Sequence, residues 1–129
     1  MKARRESLPK ARSGLRLHLG EPFELGPGKV ELLARIGATG SIAGAARQMS
    51  MSYNRAWLHV QALNHRFASP LVASKRGGAV GGGTGLTETG RRVLALYRQL
   101  EAEAQASTER TRQQVLRLLR PTLGSRENP

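Results

Sequence analysis

Residues 40–64 read G-S-I-A-G-A-A-R-Q-M-S-M-S-Y-N-R-A-W-L-H-V-Q-A-L-N, and the pattern of this stretch decides the fold. Two apolar-periodic runs lie in it, and each follows a serine, Ser41 or Ser52. A serine in that position is a typical N-cap, because its hydroxyl accepts a hydrogen bond from a backbone amide at the start of a helix. The sequence therefore predicts two helices joined by residues 49–51, a connection short enough for a helix-turn-helix.

The second of these helices has two faces of different character. The face predicted to pack on the core holds Tyr53, Ala56, Trp57, Val60, Leu63 and Asn64. The face predicted to point outward holds Asn54, Arg55, Leu58, Gln61 and Ala62. Side chains in the first turn of a recognition helix reach base edges in the major groove, where Arg pairs with guanine and Asn with adenine. The pattern favours DNA binding, although amphipathic helix pairs with a solvated Arg also occur in proteins that bind no DNA.

The charge of the chain indicates a polyanionic partner. The 129 residues include 21 Lys and Arg against 9 acidic residues, a net charge of +12, and the excess lies almost entirely in the first hundred residues. A chain of this length forms one domain, or one small domain with an extension. So strong a positive balance is typical of proteins that bind nucleic acid.

Other classes of function find little support in the sequence. There is no cysteine, and His18, His59 and His65 lack the spacing of metal ligands, so no metal and no cofactor is expected. Neither the histidines nor Glu88 form a nucleophile, base and orienter grouping, so an enzyme is not expected. No apolar run has the length of a membrane span or a signal peptide, which predicts a cytoplasmic protein without a membrane partner.

Before the two-helix stretch, the sequence predicts an arm, a strand and a helix. Residues 1–13 are charged and aperiodic, which predicts a disordered basic arm that either solubilises the chain or contacts phosphates. Residues 15–19 alternate apolar and polar side chains, the pattern of a short strand. After a turn region at residues 21–26, Pro27 is expected to start a helix that Gly37 and Gly40 stop.

After it, residues 71–87 predict a β-hairpin, the wing of a winged helix. Glycine fills six of the nine positions from Gly77 to Gly85, and Lys75 and Arg76 precede them, so the tip could lie close to a phosphate backbone or minor groove. A floppy connection is the alternative. The glycines match neither the P-loop nor the G-x-G-x-x-G nucleotide motif, which disfavours nucleotide binding.

The last predicted element is one long helix over residues 88–120, with Thr87 as its N-cap. Its apolar positions near the end are Val115, Leu116, Leu118 and Leu119. A small core cannot cover a helix of this length, so these turns are expected to pack on a second copy of the chain; a frayed extension is the alternative. Residues 121–129 are expected to be a disordered tail.

Several of these stretches resemble one known family. They are G-S-I-A-G-A-A-R-Q-M-S-M-S-Y-N-R-A-W, L-N-H-R-F-A-S-P-L-V, G-G-G-T-G and L-T-E-T-G-R-R-V-L-A-L-Y, and over residues 15–100 they look like the N-terminal winged-helix domain of ModE molybdate-responsive regulators. The LysR-type regulators are more distantly similar. The resemblance implies a dimeric DNA-binding transcription regulator, with residues 52–55 in the major groove and residues 75–85 as the wing. Only residues 121–129 follow the long helix, so the molybdate-binding domains of the family are not expected here, and any regulation would come from the protein's abundance or from a separate sensor partner.

The sequence thus predicts a mainly α protein. We expect a winged helix-turn-helix at residues 14–87, with a short N-terminal strand and a β-hairpin wing, followed by a long C-terminal dimerisation helix. Its expected function is sequence-specific regulation of transcription as a homodimer on double-stranded DNA; the alternative is a non-specific or architectural nucleic-acid-binding protein. The residues predicted to bind DNA are Ser52, Tyr53, Asn54, Arg55, Leu58, His59, Lys75, Arg76, Gly77, Gly82 and Gly83.

Overall fold

The computed structural model describes residues 14–20, 22–75 and 83–120. Its elements, in chain order, are β1 (Leu17–His18), β2 (Glu24–Leu25), α1 (Pro27–Thr39), α2 (Ile42–Gln48), α3 (Tyr53–Arg66), β3 (Val72–Lys75), β4 (Gly83–Leu86), α4 (Glu88–Ser107) and α5 (Glu109–Leu116). One compact unit comprises residues 15–100, and a second includes residues 101–120. The predicted arm at residues 1–13 and the predicted tail at residues 121–129 lie outside the described residues.

The N-terminal segment forms a small hairpin rather than a strand followed by a loop. Leu17 pairs with Leu25, and His18 pairs with Glu24, in an antiparallel ladder. The predicted strand is therefore shortened to two residues, and part of the predicted turn region is its partner strand. The turn itself lies at Pro22.

Helix α1 begins at Pro27, as predicted, but Gly37 does not stop it. Gly37 lies inside the helix, where a Cβ would stand 3.2 Å from the Leu86 side chain, so the missing side chain allows β4 to approach. The helix ends at Gly40, whose φ of 79° is left-handed and whose amide donates to the Ile36 carbonyl. Glycine adopts this conformation without the steric penalty that other residues meet.

The two-helix stretch forms the predicted helix-turn-helix. The Ser41 hydroxyl accepts from the Gly44 amide at 2.8 Å, and the Ser52 hydroxyl accepts from the Arg55 amide at 3.1 Å, so both serines are the expected N-caps. Ser50 has a φ of 54° in the tight connection between the helices. Helix α3 ends at Arg66, two residues after its predicted end at Asn64.

The hairpin predicted as a wing is formed by β3 and β4. They are antiparallel, with Val72 opposite Leu86 and Lys75 opposite Gly83. The Thr84 amide donates to the Gly40 carbonyl at 2.9 Å, which fastens β4 to the end of α1. The strands therefore exclude a wholly floppy connection, while the tip at residues 76–82 lies outside the described residues.

The core of residues 15–100 is built from helices α1, α2 and α3, both hairpins and α4. Its fully buried large side chains are Leu32, Leu33, Ile36, Val60, Leu63, Leu71 and Tyr97. The Tyr97 hydroxyl donates to the Leu15 carbonyl at 2.6 Å, which satisfies the one polar atom of that ring. This contact ties α4 to the first residues of the unit.

Helix α4 starts against the wing. Thr87 caps it by accepting from the Gly90 amide at 3.0 Å, as predicted, and also donates to the Pro70 carbonyl at 2.6 Å. A Cβ on Gly90 would stand 2.2 Å from the Leu71 carbonyl oxygen, so only glycine fits there.

The predicted single helix over residues 88–120 is wrong in its continuity. A long helix is present, but α4 ends at Ser107 and α5 follows from Glu109. Thr108 lies between them with φ −105° and ψ 6°, and its hydroxyl donates to the Ala104 carbonyl at 2.6 Å. Threonine side chains that bond back to the preceding turn slightly destabilise helices and often bend them.

Candidate nucleic-acid interface

The first turns of α3 present polar side chains to solvent. Asn54, Arg55 and Leu58 are exposed, as the periodicity predicted, with Leu58 at 53%. On the opposite side Ala56, Val60 and Leu63 are buried. The helix is thus held by one face, and the face that carries Asn54 and Arg55 is free to meet a ligand.

Two aromatic residues predicted to be core are exposed instead. Tyr53 is 54% exposed and Trp57 is 41% exposed. At about 100° per residue, Trp57 lies roughly a quarter turn around the helix from the middle of the buried stripe at residues 56, 60 and 63. The prediction for these two rings was wrong because a residue at the edge of the buried stripe can place a large ring on the protein surface instead of in the core. Ala62, predicted to point outward, is half-buried and packs on the core.

The middle of the exposed side of α3 extends beyond its predicted site residues. Asn54, Leu58, Gln61 and His65 follow one another at helical spacing, and all four are exposed. Gln61 was assigned to the outer face but left out of the predicted site, and His65 was missed. Counting helical positions from Asn54 along the full length of α3 would have found both.

Ser52 has a structural role in the site. Its oxygen accepts from the Arg55 amide, and its hydroxyl proton is able to donate to another group. The cap fixes the first turn of α3, which carries Asn54 and Arg55. A serine at this position therefore positions the exposed turn whether or not it also touches DNA.

One flank of α3 is fastened to the wing. The Asn64 side chain accepts from the Leu71 and Val72 amides and donates to the Val72 carbonyl. By helical position, Tyr53 and Trp57 belong to this same flank. The sequence had placed Asn64 on the core face, and the structure gives that position a specific polar use.

The other flank of α3 carries Arg55 and His59 and borders a groove. The groove is also lined by Arg16, Glu24 and Lys29. Partial burial, together with repulsion from Lys29 and Arg55, lowers the pKa of His59 below its usual value. Lys29 was missed because only the folded chain brings the start of α1 to the same groove as α3, and the local sequence does not indicate this.

The wing contributes one described cation. Lys75 is exposed at the end of β3, and its stem lies close to Gly85, where a Cβ would stand 3.1 Å from Lys75 Cε. Gly83 is exposed, and a Cβ there would stand 3.2 Å from the Gly40 carbonyl, so the glycine also serves packing. Arg76, Gly77 and Gly82 of the predicted site lie outside the described residues.

Other kinds of site are not evident in the part of the chain that the structure describes. Within residues 14–20, 22–75 and 83–120, no three His, Cys, Asp or Glu residues lie close enough together to hold a metal ion. Over the same ranges, none of the helices combines the length and the apolar character that crossing a bilayer requires.

Comparison with known families places residues 28–91 with one group of proteins. They match the model of the bacterial regulatory helix-turn-helix proteins of the lysR family. Among solved structures, a LysR family transcriptional regulator superposes with a TM-score of 0.48 at 20% identity, covering 64% of this chain and 26% of that one.

Curated relatives are similar over the same region. The molybdenum-pterin-binding protein MopB of Rhodobacter capsulatus is 47% identical over 78 residues, which are 60% of this chain and 29% of MopB. The molybdenum transport protein ModE of Azotobacter vinelandii is 43% identical over 82 residues, covering 64% and 30% of the two chains. The DNA-binding transcriptional dual regulator ModE of Escherichia coli K12 is 35% identical over 83 residues, covering 64% and 32%. The match therefore spans less than a third of each of these relatives.

Proposed function

We propose that this protein is a sequence-specific, DNA-binding transcription regulator and not an enzyme, because residues 28–91 match the model of the lysR family of helix-turn-helix regulators and the same region is similar to ModE proteins. One structural observation carries the proposal. Asn54 and Arg55 are exposed in the first turn of the second helix of a helix-turn-helix, while the other side of that helix is buried. This arrangement leaves both side chains free to reach base edges when the helix enters a major groove.

In this proposal, α3 lies in the major groove and the wing lies beside it. Leu58 can contact a thymine methyl, and Gln61 and His65 continue the same surface along the helix. Lys75 at the end of β3 supplies a phosphate contact, and the predicted contacts of Arg76, Gly77 and Gly82 remain part of the proposal. Tyr53 and Trp57 are exposed on the wing side of α3, and in this proposal they belong to the same DNA-binding surface.

We further propose that the protein acts as a homodimer. In the unit of residues 15–100, α4 exposes Leu96 and Leu100. In the unit that includes residues 101–120, Val115, Leu118 and Leu119 are exposed, Leu118 at 86%. Exposed apolar side chains on these helices and just after α5 support packing against a second copy, and a two-fold dimer would place two recognition helices about 34 Å apart on DNA.

The proposal places the protein in the cytoplasm with the DNA and assigns signal detection to a separate sensor partner. Residues 14–20, 22–75 and 83–120 are accounted for by the winged helix and two further helices. The molybdenum-related names of the relatives describe proteins about three times as long as the matched region.

Selection of genomic fragments by the purified full chain tests the function. A specific regulator should enrich a few fragments that share a sequence, and should bind them at least about 10³-fold more tightly than bulk DNA. Enrichment without a shared sequence would favour the architectural alternative, which the charge of +12 also supports. Failure to retain any fragment at low salt would refute DNA binding.

A further inference from the structure

A basic groove lies on the flank of α3 that faces away from the wing. It has a volume of about 210 Å³ and is formed by the N-terminal hairpin, the start of α1 and the Arg55 side of α3. Its cationic side chains are Arg16, Lys29 and Arg55, and His59 lies beside them. Among the described lining residues, Glu24 is the single carboxylate.

The charges in this groove are unevenly compensated. Glu24 is engaged by Arg16, with Nη1 and Oε1 3.5 Å apart, and by His18, with Nδ1 and Oε2 3.4 Å apart. Within the described residues, neither Lys29 nor Arg55 has a salt bridge. The Lys29 ammonium instead stands 5.3 Å from the centre of the Phe23 ring, which holds it at the edge of the groove. An incoming anion would relieve the repulsion between these cations.

On this basis we propose that the groove binds one phosphate of the DNA backbone through Lys29, while Arg55 stays free to reach a base, and that His59 takes up a proton as the phosphate binds. The inference rests on the proposed function, because it assumes that α3 enters a major groove. It adds a second contact with the backbone. The wing is fastened to one flank of α3 through Asn64, and this groove borders the opposite flank. A helix in the major groove has a phosphate backbone on each side, so each flank would meet one strand.

The proton uptake has a definite sign. In the free protein, partial burial, Lys29 and Arg55 lower the pKa of His59, which favours the neutral imidazole. A bound phosphate adds negative charge beside the ring and raises the pKa toward or above its usual value. Two other charged side chains line the groove, Arg16 and Glu24. Arg16 repels a protonated His59 ring, and Glu24 attracts it. Glu24 also pairs with Arg16 and His18. Affinity for DNA should therefore increase as pH falls from the pKa of the complex to the pKa of the free protein.

The test measures binding of the full chain to one selected duplex at pH 5.5 to 8.0 and at several salt concentrations. Lys29→Gln should weaken binding to all sequences alike and reduce the salt slope by about one, since one phosphate contact is lost. Arg92→Gln on the exposed surface of α4 makes the same change of charge and should keep the slope. An unchanged slope in Lys29→Gln would overturn the proposal.

The histidine is tested separately. In the wild type, one proton gained on binding increases affinity by at most about tenfold per pH unit, and His59→Gln should remove this part of the pH dependence while His18→Gln keeps it. The pKa of His59, followed by NMR of the ring, should rise when the duplex is added. A pKa that stays the same, or a pH profile that His59→Gln leaves intact, would overturn the proposal.

Two further arms separate the causes of failure. Inorganic phosphate at millimolar concentration should not reproduce the shift of the His59 pKa; a saturable shift would show a site for the free anion and overturn the assignment to the DNA backbone. Melting temperatures of the variants near that of the wild type exclude unfolding. If the wild type binds no DNA, the proposed function itself is refuted. If the wild type binds DNA and the Lys29 and His59 variants bind in the same way, only the role of the groove is refuted.

Discussion

The side chain of Asn64 and the backbone of Val72 exchange two hydrogen bonds, with Nδ2 donating to the Val72 carbonyl at 3.0 Å and Oδ1 accepting from its amide at 3.1 Å. The same oxygen accepts from the Leu71 amide at 2.8 Å. Asn64 belongs to α3, and Val72 opens the first strand of the wing. A single amide therefore fixes the wing relative to the helix proposed to recognise DNA.

Replacing that amide should loosen the wing and destabilise the fold. Asn64→Ala leaves two amides and a carbonyl of a partly buried segment without their partner, and about 1–3 kcal/mol of stability should be lost. Asn64→Asp keeps both acceptor bonds but cannot donate to Val72, so its loss should be smaller. Gln61→Ala, on the exposed side of the same helix, should have a free energy of unfolding in urea within about 0.5 kcal/mol of that of the wild type. An Asn64→Ala protein as stable as the control would disprove the role of this contact.

Gly90 should tolerate no side chain. A Cβ there would stand 2.2 Å from the Leu71 carbonyl oxygen, a backbone atom that cannot move without shifting β3, and overpacking of this kind costs about 1–3 kcal/mol. Gly28 also lies in a helix but has no atom within 4 Å of such a Cβ. Gly28→Ala should therefore be neutral or stabilising by up to about 1 kcal/mol, because alanine favours helix. Thermal unfolding of both variants compares them directly, and an equal effect would show that the approach of α4 to Leu71 is not tight.

The exposed Trp57 ring leads to a different expectation from that of a core residue. Leu63→Ala removes a fully buried side chain and should cost about 2–5 kcal/mol. Trp57→Ala removes a ring that is 41% exposed, so it should cost clearly less, in spite of the larger volume lost. Urea unfolding of the two variants decides between them. A Trp57→Ala protein that is less stable than Leu63→Ala would show that the Trp57 ring contributes to the core.

Local chemistry made much of this fold predictable. Ser41, Ser52 and Thr87 are predictable as caps because a hydroxyl just before an apolar run can accept a hydrogen bond from a backbone amide at the start of a helix. All three accept the expected bonds. Helix α1 begins at Pro27 and is capped at Gly40, and both limits follow from the backbone conformations that these two residues favour. These features depend on a few neighbouring residues, which is why the sequence alone was sufficient.

The features that were missed depend on distant parts of the chain. Gly37 lies inside its helix, where the missing side chain leaves room for Leu86 of β4, and Gly90 is needed because Leu71 lies beside it. Lys29 and Arg55 line one groove only because the fold brings the start of α1 and the start of α3 to it. None of these contacts has a signature in the spacing of residues, so only the folded chain reveals them.

Deletion of residues 111–129 is expected to weaken dimerisation. It removes Val115, Leu118 and Leu119, which are exposed in the unit that contains them. In the other unit, changing Leu96 and Leu100 together to Glu would place two charges on the exposed side of α4, and this should also oppose association if that surface contributes. Sedimentation at micromolar concentration measures both. A wild type that sediments as a monomer would contradict the homodimer.

The most direct measurement of the central claim, that α3 recognises bases, compares wild type and Arg55→Ala on a selected duplex and on the same duplex altered one base pair at a time. Arg55 is exposed and lies outside the buried stripe, so Arg55→Ala should keep the fold. We expect it to lose about 1–3 kcal/mol of binding and to become indifferent to one base pair, a guanine in the wild-type site, while discrimination elsewhere stays the same. An equal loss on every duplex, with no position at which preference disappears, would contradict the claim and make Arg55 a phosphate contact.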